Sequence, residues 1–159
     1  MPHVLVIGDA ILDRYLYGVA LRLSPEAPVP IMRVTGQEDQ PGGACNVAMN
    51  LDALGAKTRL MSVVGQDDAA RDLVASLKHQ LSHFQLNQAR ISTTVKTRHI
   101  VGNQHLLRID DEDICSPPEL DDVLRYFESY ARDADWIIFS DYGKHFQSRA
   151  QDIIEIAKS

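Results

Sequence analysis

The chain has 159 residues, of which 45% are hydrophobic and 24% charged, and its formal net charge is −6. This length and composition suit one soluble globular domain with a core of its own, built without disulfides or metals. The acidic balance and the lack of a basic cluster in the sequence argue against a nucleic-acid-binding protein, because lysine and arginine supply most of the affinity for phosphates.

Targeting signals and membrane spans are not predicted. Apolar runs such as residues 136–139 are far too short to cross a bilayer. The first three residues lead straight into an apolar run, without the basic region and cleavage site of an export signal. Cys45 and Cys115 cannot form a disulfide framework and lack metal-ligand spacing. We therefore expect a cytoplasmic protein that binds neither nucleic acid nor membrane.

The N-terminal third predicts a strand, an irregular stretch, a helix and a second strand. Residues 4–7 form a short apolar run, which is typical of a strand buried on both faces of a parallel sheet. The stretch 15–35 is rich in proline and lacks helical periodicity, so edge strands and turns are expected there. Residues 44–54 have apolar positions at helical spacing and are followed by glycine. A strand is predicted over 59–64.

The middle of the chain predicts a helix followed by a hairpin. Residues 65–68 combine a turn with a helix N-cap, and the apolar face of the helix that follows extends to Leu81. β-Branched residues over 92–100 and alternation over 106–110 predict two strands, with Gly102 and Asn103 as the turn between them. This hairpin is predicted to be an insertion between α/β units.

The C-terminal third predicts a helix, a strand and a last helix. Residues 116–119, SPPE, form a capping box for a helix whose apolar face runs from Leu120 to Phe127. Residues 136–139 predict another buried strand, and a helix packed through its isoleucines follows. Strands that alternate with helices of this length predict parallel βαβ units, so the fold class is α/β.

Acidic turns follow three of the predicted strands, and ligands of open α/β sheets bind beyond the carboxyl ends of the strands. These turns contain Asp9 with Asp13, Asp67 and Asp141. The carboxylates of Asp9 and Asp13 can accept two sugar hydroxyls. The alternative is that Asp9 only turns the chain and that Asp13 pairs with Arg14.

A glycine pair, Gly42 and Gly43, precedes the first predicted helix. Paired glycines let a ligand approach backbone amides at the positive end of the helix dipole, and Asn46 on the first turn can bond a polyol. A tight turn that merely starts a helix explains the pair equally well. The sequence holds neither a P-loop nor a dinucleotide fingerprint. Cys45 is expected to pack rather than react, because no base lies beside it.

The predicted hairpin carries Arg98, Gln104, Arg108 and Asp110, and alternation puts Lys96 on the same face as Arg98. Arginine suits bidentate recognition of phosphate or carboxylate. The alternative is that these residues are solvated edge charges that limit strand pairing.

Five segments taken together resemble the ribokinase-like (PfkB) family of sugar kinases, and within it the heptose-7-phosphate kinases. They are residues 8–15 (GDAILDRY), 24–30 (SPEAPVP), 41–48 (PGGACNVA), 103–110 (NQHLLRID) and 140–144 (SDYGK). They occur in family order over nearly all of the chain. The resemblance implies a partial ribokinase-like fold, mostly a parallel sheet flanked by helices, with a small β-lid formed by segments 15–35 and 92–110.

The activity that the resemblance implies is ATP-dependent phosphorylation, with Mg²⁺, of the anomeric hydroxyl of heptose 7-phosphate, in ADP-heptose synthesis for the lipopolysaccharide core. Residues 13, 42, 43 and 46 match family positions that hold sugar hydroxyls, and residues 14, 98, 104 and 108 match positions that contact the sugar or its phosphate. The predicted substrate-binding residues are Asp9, Asp13, Arg14, Gly42, Gly43, Asn46, Arg98, Gln104, Arg108, Asp110, Asp141 and Lys144. His145 departs from the family, which has glycine there.

Family kinases continue beyond the position of Ser159 with the catalytic base, the anion hole and most of the ATP site. The chain, residues 1–159, is therefore expected to be the N-terminal portion of a kinase domain, inactive alone and a poor binder of ATP and Mg²⁺. Its expected partners are the sugar phosphate and either a second copy, through the lid, or another chain that supplies the missing half. Two alternatives are a non-catalytic sugar-phosphate-binding or subunit-interaction module and another PfkB sugar kinase.

Overall fold

The computed structural model describes residues 1–112 and 120–158, so the predicted capping box at 116–119 lies outside the described residues. In chain order the elements are β1 (His3–Gly8), β2 (Ala10–Leu23), β3 (Pro30–Gly43), α1 (Ala44–Ala53), β4 (Lys57–Val64), α2 (Asp68–Leu77), β5 (Phe84–Gln88), β6 (Val95–Val101), β7 (Gln104–Asp111), α3 (Asp121–Ala131), β8 (Trp136–Ser140), a short 3₁₀ helix (Gln147–Arg149) and α4 (Ala150–Lys158). The predicted α/β class is confirmed.

A parallel sheet with strand order β5-β4-β1-β8 forms the centre of the fold. One core cluster, which includes Val6 and Leu73, packs this sheet against α1 and α2. A second cluster, which includes Ile7 and Phe127, packs its other face against α3 and α4. Because β1 is buried on both faces, its sequence is an uninterrupted apolar run, as predicted.

A second sheet, which we call the mixed sheet, has strand order β3-β2-β6-β7. Both predicted lid segments lie in it. The prediction of edge strands and turns over 15–35 is only partly right: β3 is an edge strand, but β2 is an interior strand of 14 residues paired on both sides. The prolines do not interrupt β2, because Pro25 and Pro28 lie in the turn after it and Pro30 begins β3.

The remaining elements follow the sequence with three exceptions. Helix α2 ends at Leu77, so Leu81, which was predicted to lie on its apolar face, is buried beyond the end of the helix. The half-buried strand β5 was not predicted. Strand β8 was predicted to be buried, but it lies at the edge of the parallel sheet in the described chain, and Trp136 is 68% exposed. The predicted N-cap is confirmed, since Asp67 accepts a hydrogen bond from the amide of Ala70. Within residues 1–112 and 120–158, every helix is too short or too polar to cross a membrane.

Candidate functional site

One face of the mixed sheet, which we call the site face, gathers four of the predicted site residues, Asp13, Arg98, Arg108 and Asp110. Strand register sets two rows side by side across β2, β6 and β7, namely Asp13 with Lys96 and Asp110, and Tyr15 with Arg98 and Arg108. Cross-strand neighbours project from the same side of a sheet, so the two rows form one continuous surface. Residues far apart in the sequence are brought together here.

At the centre of the site face, Arg98 is ion-paired with Asp13. Its Nη1 donates to Asp13 Oδ1 at 2.6 Å, and the two side chains are only 19% and 21% exposed. The guanidinium carbon also lies 5.2 Å from the centre of the Tyr15 ring. Partial burial lowers the pKa of Arg98, but the hydrogen bond and the charge of Asp13 outweigh burial and leave the pKa raised. Arg98 is therefore a permanent cation fixed beside a carboxylate.

Arg14 faces away from the site, which corrects its predicted contact with the sugar. Successive residues of a strand point to opposite faces, so Arg14 lies behind Asp13. Its Nε and Nη2 donate to Asp39 at 2.8 and 2.7 Å, and Nη2 reaches Asp72 of α2 at 2.7 Å. The hydrogen bond to Asp39 is the main reason that the pKa of Arg14 is raised. Arg14 joins the mixed sheet to α2, and the alternative Asp13–Arg14 pair is also wrong.

The glycine pair is explained by the chain's own groups. A Cβ on Gly42 would lie 2.8 Å from Asp13 Cγ, and a Cβ on Gly43, whose φ is +58°, would collide with the carbonyl oxygen of Asp9. The amide of Ala44 donates to that carbonyl at 2.9 Å. Gly42 and Gly43 therefore leave room for the side chain of Asp13 and the carbonyl group of Asp9 beside the start of α1.

Asp9 does not face a ligand, which corrects its predicted role as an acceptor of sugar hydroxyls. It is fully buried, and both carboxylate oxygens accept hydrogen bonds from backbone amides of the loop after β8. The alternative, that Asp9 organises a turn, describes it better. The turn that it organises lies after β8, however, and not after its own strand.

The loop after β8 lies against the site face. Lys144 Nζ is 2.5 Å from Glu112 Oε2, and Lys96 Nζ lies 6.0 Å from the centre of the Tyr142 ring. Asp141 is exposed and accepts from the amide of Gly143 at 2.7 Å, so it stabilises the turn. Lys144 is thus at the rim of the site, whereas Asp141 has no observed contact with the site face.

Of two predicted residues on β7, Arg108 belongs to the site face and Gln104 lies far from the Asp13–Arg98 pair. Arg108 Nε is 2.8 Å from Asp110 Oδ1, and both residues belong to the site face. Gln104 pairs with Val101 at the hairpin tip, five residues along β6 from Lys96, or about 16 Å away. The structure therefore does not bring Gln104 to Asp13.

Asn46 lies on the β3 side of the site. It is exposed on the first turn of α1, and its Oδ1 accepts from Asn50 Nδ2 at 3.4 Å. It lines a groove of about 630 Å³ together with Glu38 and Gln40. Gln40 is the register partner of Asp13, which places this groove next to the site face.

Lys96 is a candidate site residue that the predicted set of substrate-binding residues omitted. The cations around it are neutralised, because Arg98 pairs with Asp13, Arg108 with Asp110 and Lys144 with Glu112. Within the described residues, Lys96 has neither an ion pair nor a side-chain hydrogen bond; Tyr142 is its ring contact. Alternation with Arg98 was the signal that pointed to it. The three pairs and Lys96 together carry one positive charge in excess.

Cofactor groups are not evident at this site. The side chains of residues 1–112 and 120–158 form no group of three histidine, cysteine or acidic ligands for a metal ion. Burial raises the pKa of the Cys45 thiol to about 12, so Cys45 is a packing residue and not a nucleophile. The arrangement suits the binding of a polar anion by hydrogen bonds and charge.

Sequence comparison identifies the family. Residues 1–141 match the model of the pfkB family carbohydrate kinases. The bifunctional protein HldE of Nitrosococcus oceani is 43% identical over 99% of this chain and 35% of its own length. That of Histophilus somni is 42% identical over 98% of this chain and 33% of its own length. The chain therefore spans about a third of the length of these relatives.

Solved structures agree on the fold. Escherichia coli phosphofructokinase-2 in complex with fructose-6-phosphate superposes with a TM-score of 0.68 at 18% identity, over 99% of this chain and 52% of that one. A carbohydrate kinase from Agrobacterium tumefaciens gives 0.66 at 18% identity, over 87% and 45% of the two chains. With the sequence match, these likenesses show that the chain belongs to the pfkB family of carbohydrate kinases and has a ribokinase-like α/β fold.

Proposed function

We propose that the site face, the start of α1 and the loop after β8 bind the phosphorylated sugar that a carbohydrate kinase uses as acceptor. The observation that carries this proposal is Lys96, which has no ion pair within residues 1–112 and 120–158 although its neighbouring cations are all paired. Carboxylates such as Asp13 accept hydrogen bonds from sugar hydroxyls, and arginines donate to oxygens. The ammonium of Lys96 would supply the charge that a phosphate ester needs.

The acceptor that we propose is heptose 7-phosphate. Support comes from the sequence segments that resemble heptose-7-phosphate kinases and from the identity of 43% with an HldE protein. The complete enzyme would transfer the γ-phosphoryl group of ATP, with Mg²⁺ balancing the phosphate charges, to the anomeric oxygen. That oxygen would lose its proton to the catalytic base of the complete enzyme, ADP would leave, and a 1,7-bisphosphate would form for ADP-heptose and lipopolysaccharide synthesis. The described residues of this chain contribute acceptor binding.

Titration calorimetry tests this proposal with heptose 7-phosphate, unphosphorylated heptose, ribose and fructose. We expect the phosphorylated heptose to bind best. Lys96→Met should weaken its binding about 10- to 100-fold, because a hydrogen bond to a charged group contributes about 1.5–3 kcal/mol. Lys57→Met is the matched control, since Lys57 lies at the opposite, amino end of β4. Preference for an unphosphorylated sugar, or equal losses in both variants, would refute the assignment.

A second candidate function is a non-catalytic module that binds another polypeptide. Within the described chain β8 pairs only with β1, and an apolar groove of about 370 Å³ beside it is lined by Leu54, Trp136 and Ile138. An open strand edge next to exposed apolar side chains favours strand addition from a partner. Turnover in a coupled ADP-release assay on the isolated chain with heptose 7-phosphate would exclude a non-catalytic module, and it would also contradict the expectation that the chain is inactive alone.

We also propose that two copies associate through the mixed sheet. The face opposite the site face carries Leu107 and Ile109, which are 54% and 48% exposed. Exposed apolar residues on one face of an edge strand favour burial against a second copy. Sedimentation velocity should show a dimer that Leu107→Lys disrupts, whereas Ile154→Lys on α4 should leave it intact. A monomer at all working concentrations would contradict this.

A further inference from the structure

Asp9 connects two parts of the candidate site, namely the loop after β8 and the start of α1. Its carboxylate collects four backbone amides of the loop after β8. Tyr142 and Lys144 donate to Oδ2 at 2.8 and 3.2 Å, and His145 and Phe146 donate to Oδ1 at 2.9 and 3.4 Å. A carboxylate offers about four lone-pair positions, so these amides use its capacity.

The backbone of Asp9 is hydrogen-bonded to the start of α1. Its carbonyl oxygen accepts from the amide of Ala44, the first residue of α1, and its own amide donates to Ser140 at 3.1 Å. Ser62 of β4 bonds the residues on either side of Asp9. Its hydroxyl accepts from the amide of Ala10 at 3.0 Å and donates to the carbonyl of Gly8 at 2.5 Å. Asp9 is therefore hydrogen-bonded to both α1 and the loop after β8, and its two neighbours are fixed by β4.

We propose that Asp9 is a positioning residue that sets the loop 142–146 against the start of α1 and thereby sets the affinity of the sugar-phosphate site. The effect on affinity rests on the proposed function; the effect on the loop does not. The loop bears Lys144, which is paired with Glu112, and Tyr142, which lies beside Lys96. A shift of the loop would therefore displace groups that contact the site face.

The chemistry of the four donors requires a carboxylate at this position. All four groups that face Asp9 are N–H donors, and an ionised aspartate only accepts. Asparagine has nearly the same shape but turns an NH₂ group toward two of these amides, which leaves buried donors unpaired. Asp9→Asn therefore preserves the volume of the side chain but replaces one of the two accepting oxygens with an NH₂ donor.

Amide hydrogen exchange and calorimetry, measured on Asp9→Asn and on Asp67→Asn, test the proposal. Asp67 is the matched control, because it also accepts from backbone amides, those of Ala70 and Thr93, at the end of a parallel strand. In Asp9→Asn we expect at least tenfold faster exchange across residues 142–146 and about tenfold weaker binding of heptose 7-phosphate. In Asp67→Asn we expect faster exchange near residues 70 and 93, and binding within twofold of the wild type.

The possible outcomes are distinguishable. Unchanged exchange over 142–146 in Asp9→Asn, or equal acceleration there in both variants, would overturn the proposal. Faster exchange with unchanged affinity would reduce Asp9 to a structural role and overturn it as well. If the wild type binds no sugar phosphate, the proposed function fails while the exchange data still decide whether Asp9 sets the loop. If Asp9→Asn does not fold, Lys144→Pro is the second variant, because it removes one of the four backbone amides that donate to Asp9. Unchanged exchange at residues 145 and 146 in that variant would refute the proposal.

Discussion

Gly42→Ala is a direct perturbation of the centre of the candidate site. The added methyl group would lie 2.8 Å from Asp13 Cγ and closer still to Oδ2. Carbon atoms in contact are about 3.5–4.0 Å apart, so the carboxylate has to move by more than about 0.5 Å. The hydrogen bond between Asp13 and Arg98 is already short at 2.6 Å, and its geometry depends on the present position of the carboxylate.

The magnitude follows from how far this ion pair is buried. Because about four-fifths of each side chain is inaccessible, loss of the pair should cost about 1.5–3 kcal/mol, as for other hydrogen bonds to charged groups. Gly42 has no positive φ, so alanine fits the backbone and should recover about 0.4–1 kcal/mol through the unfolded state. We expect the free energy of unfolding to fall by about 1–2 kcal/mol.

Gly36→Ala is the matched control, because Gly36 also lies in β3 and a Cβ there would have no neighbour within 4 Å. Urea unfolding at pH 7 should show Gly42→Ala less stable and Gly36→Ala unchanged or slightly more stable, with equal m-values. Calorimetry should show weaker binding of heptose 7-phosphate only in Gly42→Ala. Equal stability of the two variants would refute the steric reasoning, and unchanged affinity would remove Asp13 from the proposed site.

Three further predictions concern groups outside the centre of the site. Arg14→Lys keeps the charge but loses the paired contact with Asp39, so urea unfolding should show a loss of about 1–2 kcal/mol. Asp67→Asn should cost about 1 kcal/mol at pH 7, because an NH₂ group replaces the oxygen that accepts from the amide of Thr93. Although burial opposes it, hydrogen bonds from Thr93 lower the pKa of Asp67 in the folded state, so this stabilisation is present above about pH 4 and disappears as the pH falls further. The wild-type and variant stabilities should therefore converge in acid, and a constant difference would contradict the assignment. The Cys45 thiol, whose pKa burial raises to about 12, should resist iodoacetamide at pH 8 until the protein is unfolded, as mass spectrometry would report.

The elements of the parallel sheet were predictable because their signals are local. An apolar run predicts β1, and helical spacing predicts α1 and α2, regardless of which neighbours they meet. Strand β5 was missed because it is short: its alternation rests on only two apolar residues, Phe84 and Leu86, and both are only half-buried. Strand β2 was misjudged because prolines from the following turn and from β3 lie within the same stretch of sequence. The exposure of Trp136 depends on what lies beside β8, and no local pattern reports that.

The candidate site was predictable as a set of segments but not as a set of contacts. Asp13 finds its partner Arg98 at a separation of 85 residues, through the parallel pairing of β2 with β6. Arg14 is adjacent to Asp13 in the sequence and in the family motif. Successive side chains of a strand point to opposite faces, however, so Arg14 lies on the other face of β2 and bonds Asp72 of α2. Lys96 stands out only after every neighbouring cation has been assigned a carboxylate, which requires coordinates.

The electrostatics of the whole chain and of the site point in opposite directions. A net charge of −6 gives a repulsive field for an anionic sugar phosphate, and this field extends over roughly a Debye length, about 8 Å at physiological salt. Attraction therefore has to come from groups in direct contact, and ion pairs that neutralise Arg98 and Arg108 leave little net charge. Those arginines retain hydrogen-bond donors, which recognise oxygens by geometry, while Lys96 is the cation of this group that has no carboxylate partner in the part of the chain that the structure describes. The ligand that we propose, a phosphorylated sugar, brings both several hydroxyl groups for the hydrogen-bonding side chains and one anionic group for Lys96, a combination that a free sugar and inorganic phosphate lack.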